Sequence, residues 1–286
     1  MEVQWLDTNP GWRSPSFFLN LPDSEEFPFL GFYEQEQLLG YTRIWKYSTA
    51  GVINFGNQPF SGSLVVQWRS DSTSKLWQEA LLCFLKKEVQ GGRIHLYFPG
   101  KEEVHFAGFK AIHKPTFLLD LNQDVWEGIH PKRKNVIRKL EKDEKGEVRE
   151  QVKWDPRFYS AFIPSSDMEA LKRYAPESGS WMALEGMDGE NQLGGAVGAQ
   201  EGDTMKYILG GAQRGHAYMG SAVLWALISR AKQNGFRTFD FEGSSIPGVH
   251  SFFKSFGGKE VQVHGVEYLG WKAKMMRSLK QLIGRK

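Results

Sequence analysis

The residues best placed for chemistry lie in Gly235–Gly258, GFRTFDFEGSSIPGVHSFFKSFGG. In its opening strand Phe239 and Phe241 share one face, while Thr238, Asp240 and Glu242 share the other, with about 6.8 Å between successive same-side residues. A glycine turn follows, then an aromatic run with one embedded cation, Phe252-Phe253-Lys254-Ser255-Phe256, closed by Gly257-Gly258. A carboxylate among apolar groups is costly unless paired or hydrogen-bonded, so Lys254 and the basic residues elsewhere are candidate partners for Asp240 and Glu242. The alternative is that both carboxylates sit at an exposed strand end and cap the next turn.

Two further stretches carry charge in a useful pattern. Pro131–Lys139, PKRKNVIRK, reads as a helix opened by proline, with Val136, Ile137 and Leu140 as its apolar stripe and Arg133 inside that stripe. An arginine facing a core wants a buried anion or carboxylate, unless it snorkels at the helix end; Lys134 and Arg138 project to the opposite side. Gly210-Gly211-Ala212-Gln213-Arg214-Gly215-His216-Ala217-Tyr218 joins a strand to an apolar helix, a position where backbone N–H groups at a helix N-terminus can hold an anion. His216 and His250 fall in loops and are candidate proton acceptors. The chain has no GxSxG elbow and no His pair at metal-ligand spacing, so neither a serine nucleophile nor a metal centre is expected.

Three ordered stretches, Phe239-Asp240-Phe241-Glu242-Gly243 with Phe253-Lys254 and Phe256-Gly257-Gly258, the basic helix 131–139, and Tyr207 to Ala231, resemble the Fem-like aminoacyl and peptidyl transferases, built from tandem GNAT-type acyltransferase domains. The likeness covers roughly residues 115–270 and the N-terminal part in outline. It implies a mixed α/β fold of two GNAT-like domains, 1–121 and 122–270, with a basic helix at 271–286 that packs back on the first domain. It also implies transfer of an acyl or aminoacyl group to an amine in a cleft between domains, with no covalent enzyme intermediate. Lys254 then neutralises a phosphate or the reacting carbonyl's charge, and Phe253 packs beside it. Asp240 and Glu242 orient the amine or hold Lys254. Arg133, Arg138, Arg214, Gly210, Gly211, Tyr218 and His216 bind substrate.

The donor implied is acyl-CoA or an aminoacyl-tRNA, and the acceptor a small amine or a peptide such as one of peptidoglycan. The 210–220 loop departs from the Q/R-x-x-G-x-G/A spacing of CoA-dependent relatives, which sets it apart from them, and the long tRNA-arm hairpin of the larger cell-wall enzymes is not apparent. Two other readings remain: a CoA-dependent N-acetyltransferase with a divergent loop, and a non-catalytic anion- or RNA-binding module on the same fold.

The totals fit a soluble chain of one large or two ordinary domains: 286 residues, 41% hydrophobic, 24% charged and an aromatic-rich 14%. A net charge of +3 means that anion binding must come from local patches. The lone cysteine, Cys83, excludes an internal disulfide, and its place in the amphipathic stretch Leu76–Val89 reads as a buried structural thiol. No basic-then-apolar leader and no run of 18 apolar residues is found, which points to the cytoplasm.

The elements that must position these residues follow from periodicity. Residues 3–20 read as a strand and a helix, and two-fold alternation from Pro28 to Val66 reads as an antiparallel meander, broken by the loop Asn57–Gly62. A helix over 72–89, a strand Arg93–Phe98 and strands interrupted at Gly108 and Pro115 complete the first half, which has no glycine-rich phosphate loop. In the second half come a short helix at Trp126, the basic helix, the strand EVREQVKW, a helix over 156–175, a hairpin of 180–185 with 194–200, a strand 204–209 and a buried helix 218–233. The strand Val261–Tyr268 leads to Trp271–Lys286, a basic amphipathic helix without an acidic residue. Its cationic face suits a nucleic acid or lipid headgroups, or it is simply a solvated terminal helix.

Overall fold

The computed structural model describes residues 1–11, 18–19, 24–57, 61–69, 76–100, 102–142, 146–150, 181–243 and 246–283. The chain opens with β1 (Glu2–Leu6), and the alternating stretch produces β2 (Phe29–Glu34), β3 (Gln37–Arg43), β4 (Trp45–Thr49), β5 (Val52–Gly56) and β6 (Val66–Trp68). Next come α1 (Leu76–Glu88), β7 (Arg93–Tyr97) and β8 (Lys110–Asp120), then α2 (Val125–Gly128), where the Asp124 carboxylate caps by accepting the Trp126 N–H. They are followed by α3 (Pro131–Lys142), β9 (Glu147–Glu150), the hairpin β10 (Trp181–Asp188) and β11 (Asn191–Glu201), and β12 (Thr204–Ala212). The last elements are a helix α4 (Ala217–Gln233), β13 (Thr238–Asp240), α5 (Pro247–Lys254), β14 (Lys259–Leu269) and α6 (Trp271–Ile283).

Three expectations meet a different outcome. Cys83 is exposed. The buried residues of α1, Trp77, Leu81, Leu82 and Leu85, form a stripe on the far side of the helix from it. Pro115 does not interrupt β8, which runs from Lys110 to Asp120; its pairing with β13, through Leu118–Asp120, begins beyond the proline. The strand carrying the carboxylates ends at Asp240, because Glu242 adopts φ +58° and takes the chain out of extended geometry. The helix expected over 156–175 lies outside the described residues, as do most of the helix expected before residue 20, residues 58–60 of the Asn57–Gly62 loop, and the end of EVREQVKW.

The chain forms two units, Met1–Ser14 with Asp23–Lys114 and Gln262–Lys286, and Pro15–Pro22 with Pro115–Val261. In the first, β1-β2-β3-β6 make an antiparallel sheet, and β4-β5-β7-β14 a second set in which β5 and β7 run parallel. Its core gathers Leu30, Phe32 and Phe55 with Leu81, Leu85, Leu96 and Val266. In the second unit the order is β8-β13-β12-β11-β10-β9, antiparallel except for β12 and β13. Helix α4 lies on this sheet, burying Met219, Val223, Leu224, Leu227 and Ile228. It comes close because Gly186 has no side chain: a Cβ there would sit 2.2 Å from the Met219 sulfur.

Candidate active site in the second unit

The parallel pair β12 and β13 shares only three positions, Thr204↔Thr238, Met205↔Phe239 and Lys206↔Asp240. Beyond them β12 continues to Ala212 while β13 stops, so the sheet opens at the C-terminal ends of two parallel strands, where open α/β sheets take ligands. Side chains alternate across this opening. Met205 and Phe239 join the core under α4, and Lys206 and Asp240 therefore point to the opposite face.

On that opposite face the carboxylates are already engaged. Asp240 Oδ1 accepts the Thr116 hydroxyl at 2.7 Å and the backbone N–H of Glu242 at 2.8 Å, which closes a tight corner at residues 240–242. Lys206, 5% exposed, places its ammonium 3.0 Å from Glu242 Oε1 and in contact with Glu201. Burial alone would lower the lysine pKa, but the charges of Glu242, Glu201 and Asp240 outweigh it and hold the pKa above its ordinary value. A left-handed Glu242 costs on the order of 1–2 kcal/mol, and the grip of Lys206 and Asp240 on this residue offsets it. Lys206 was missed in the sequence because a single lysine in TMKYILGG reads as an ordinary solvent-facing strand residue.

On the α4 face, Phe253 of α5 is buried, 5.0 Å from the Phe241 ring and edge-on to Tyr207 at 5.6 Å. Burial raises the phenol pKa of Tyr207, which keeps it protonated. Gly210 lets the Tyr207 ring lie along the strand, since a Cβ there would be 2.1 Å from the phenol oxygen. Arg133 reaches this region from α3, as its place in the apolar stripe predicted, but its partners are hydroxyls and ring faces. Its Nε donates to Ser255 Oγ at 3.0 Å and its Nη1 to Ser221 Oγ, while the guanidinium carbon lies 4.5 Å from the Phe252 centroid and 5.4 Å from that of Phe256. Burial lowers its pKa, yet a guanidinium remains charged.

Beside it opens a cavity of about 450 Å³ lined by His130, Lys132, Arg133, Val136, Ser251, Lys254 and Ser255. Among the described residues no carboxylate lines it. Lys254 is exposed at its wall and has no ion-pair partner among the described residues. Lys254 and Arg133 are thus brought together, whereas Asp240 and Glu242 are held by Thr116 and Lys206.

The remaining candidates lie apart from this cavity's lining. Arg138 is exposed and stacks on Trp126 at 5.3 Å, beside Lys134. Gly210 and Gly211 are paired in the sheet with Ala196 and Gly195. In the loop before α4, Arg214 is exposed, and His216 Nδ1 lies 3.2 Å from the Tyr218 hydroxyl. Three N–H groups at this helix entrance are used locally: Gln213 donates to Leu193 O, His216 to Gln213 O and Met219 to His216 O, each at 2.9 Å. His250 lies against Phe117 at 4.9 Å, with Nε2 3.7 Å from Glu260. Among the described residues no group of three or more His, Cys, Asp or Glu is placed to hold a metal.

Comparison with solved structures gives the fold. The chain is similar to FemX, with TM-score 0.59 and 12% identity over 99% of this chain and 100% of that one. It is similar to the C-terminal domain of a putative lysylphosphatidylglycerol synthetase from Agrobacterium fabrum, with TM-score 0.57 and 10% identity over 94% and 92% of the two chains. A GCN5-related glucosamine N-acetyltransferase region of a fungal multi-domain β-N-acetylglucosaminidase gives TM-score 0.52 and 10% identity over 93% of this chain and 38% of that one. The fold is mixed α/β of the tandem GNAT type, as the Fem-like resemblance implied. No protein-family model matches the sequence, and no curated protein does.

Proposed function

We propose that the second unit carries out transfer of an acyl or aminoacyl group to an amine, with the Arg133–Lys254 cavity as the receptor for the anionic part of donor or acceptor. The reading is supported above all by that cavity: Lys132, Arg133 and Lys254 line it with no ion-pair partner among the described residues, on a fold shared with FemX and a GCN5-related acetyltransferase region. The amine nitrogen attacks the donor carbonyl and the carbonyl oxygen takes up the negative charge. Collapse of the tetrahedral species then expels the leaving group, which accepts the amine's proton. Lys254, exposed at the cavity wall, stabilises the developing oxyanion or a phosphate next to it, and Arg133, fixed by Ser221 and Ser255, orients the anion. Asp240 and Glu242 act in this reading through structure, by setting the corner that presents Phe241 to Phe253.

The 210–220 loop departs from the Q/R-x-x-G-x-G/A spacing of CoA-dependent relatives, which favours an aminoacyl donor such as an aminoacyl-tRNA over acyl-CoA. The test uses purified protein with a panel of radiolabelled aminoacyl-tRNA and acyl-CoA donors against amino-sugar, peptide and lipid-linked amines. Lys254→Ala is expected to lower transfer by about 10²–10³-fold, the usual cost of one oxyanion donor, with an unchanged melting temperature. Undiminished transfer in Lys254→Ala overturns the proposal. Pyrophosphate binding that needs Arg133 and Lys254, with no transfer from any donor, favours a non-catalytic anion-binding module instead.

A further inference from the structure

Helix α6 of the first unit is amphipathic in the wrong sense for a helix that is merely solvated. At about 100° per residue, Trp271, Met275 and Leu279 fall within an arc of about 80°. They are 66%, 53% and 50% exposed. Six large apolar side chains are exposed among the described residues, and half of them are in this one stripe. The helix meets its own unit by another side. Ala273, buried, lies about 120° or more around the axis from the stripe. The start of the helix is fixed by the Gly270 N–H to Gly92 O at 2.7 Å and the Ala273 N–H to Gly91 O at 3.0 Å. Arg277, on the Ala273 side, turns to Glu267 at 3.5 Å. Leu279 is one of the residues lining a cavity of about 750 Å³ that α6 forms with β4 and β5.

The charges flank the stripe. Lys272 lies about 20° beyond one edge and Lys274 about 60° beyond the other. Six of the chain's 36 cationic residues and none of its 33 acidic ones fall in 271–286, so the rest of the chain carries a formal charge of −3. An apolar strip led by tryptophan and bordered by lysines is the pattern of a helix lying in a membrane interface, with the lysine stems reaching up to headgroup phosphates. A nucleic-acid surface would need the cations and gain nothing from exposed Met275 and Leu279. No helix among the described residues is long and apolar enough to cross a membrane, so the contact would be peripheral.

We propose that α6 docks the protein on an anionic phospholipid surface, with Trp271, Met275 and Leu279 in the headgroup–acyl boundary and Lys272 and Lys274 on the phosphates. The proposal is independent of the transfer chemistry. The test is co-flotation of the full chain with phosphatidylcholine vesicles, with and without 30% phosphatidylglycerol, at low and high salt. Expected is partition only into the anionic vesicles, lowered at least tenfold in the triple variant Trp271→Ser/Met275→Ser/Leu279→Ser. Each of Lys272→Gln and Lys274→Gln is expected to lower it about fivefold. Brominated acyl chains should quench part of the wild-type tryptophan emission, and that part should be missing in Trp271→Phe, a readout that does not depend on how the triple variant folds. Equal binding to neutral and anionic vesicles, unchanged partition in a folded triple variant, or binding of α6 to RNA with no flotation, each overturns the proposal.

Discussion

Replacing Lys206 by methionine isolates the energetics of the buried cluster. The substitution keeps most of the stem's volume and deletes the charge, leaving Glu242, whose side chain is 9% exposed, and Glu201 without their cation. Removing one partner of a buried pair typically costs about 3–5 kcal/mol. For a chain of this length that is roughly a 10 °C fall in melting temperature. The wild-type lysine has its folded pKa raised, so its contribution is fully present below the unfolded value near 10.5 and is lost only as pH rises through the folded one. Between pH 5 and 8 wild-type stability should therefore owe no slope to Lys206.

The variant should behave differently. A buried carboxylate that loses such a cation has its folded pKa raised, its native state binds more protons than the unfolded chain, and stability falls as pH rises above about 4.3. Each unit of that rise is worth about 1.4 kcal/mol, so the variant should regain part of its loss on going from pH 7.5 to 5. Urea melts of wild type, Lys206→Met and Lys206→Met/Glu242→Gln at both pH values complete the measurement. The double variant should recover most of the deficit, because two neutral groups of similar shape replace a broken pair. A deficit under 1 kcal/mol, or the same deficit at pH 5 and 7.5, refutes the assignment of Lys206 as the cation that holds this corner.

Two further outcomes are expected. Gly210→Ala drives a methyl to 2.1 Å from the Tyr207 hydroxyl and 2.8 Å from Gly195 O, so it should cost about 1–3 kcal/mol in thermal unfolding and shift tyrosine fluorescence; a neutral substitution would show that the ring is not held there. His95 has its pKa lowered by burial and by the neighbouring Arg93, against the opposing pull of Glu267. The unfolded chain then binds more protons than the native one, so stability should rise with pH up to about 6.5, and His95→Gln should flatten that slope in pH-dependent melts.

The sequence carried more of the fold than of the site. The hairpins β2–β3, β4–β5 and β10–β11, with α1, β7, α3 and α4, follow from local periodicity and apolar runs, whereas the single meander expected over 28–66 is divided between two sheets, with β6 returning to β3. What periodicity does not encode is where pairing stops. The opening between β12 and β13 depends on Glu242 leaving extended geometry, and a non-glycine residue gives no sign of φ +58° in its side-chain type. Arg133 was legible as a core-facing arginine from its place on the helical wheel. Its partners were not, since Ser221 and Ser255 are 88 and 122 residues away and serine occurs in every loop. The same limit hid Lys206, whose carboxylates come from both sides of a sheet pairing that must exist before the charges can meet.

The way the two clusters are satisfied separates their roles. On one face of the sheet a single ammonium meets Glu242 and Glu201 with Asp240 close by, so its charge is fully taken up inside the protein and no cation is left for a ligand. On the other face the guanidinium of Arg133 is held by two hydroxyls and two aromatic rings, groups that fix its position without neutralising it, and Lys254 stands next to it without an ionic partner among the described residues. A unit anion about 4 Å from one such cation gains about 4 kcal/mol at the effective dielectric of a protein surface, and a carboxylate in the place of Ser255 would cancel most of that gain. Hydroxyls in that position preserve the attraction for whatever anion enters. This is why the transfer site is argued from Arg133 and Lys254, and why Asp240 and Glu242 are read as the structure that supports them.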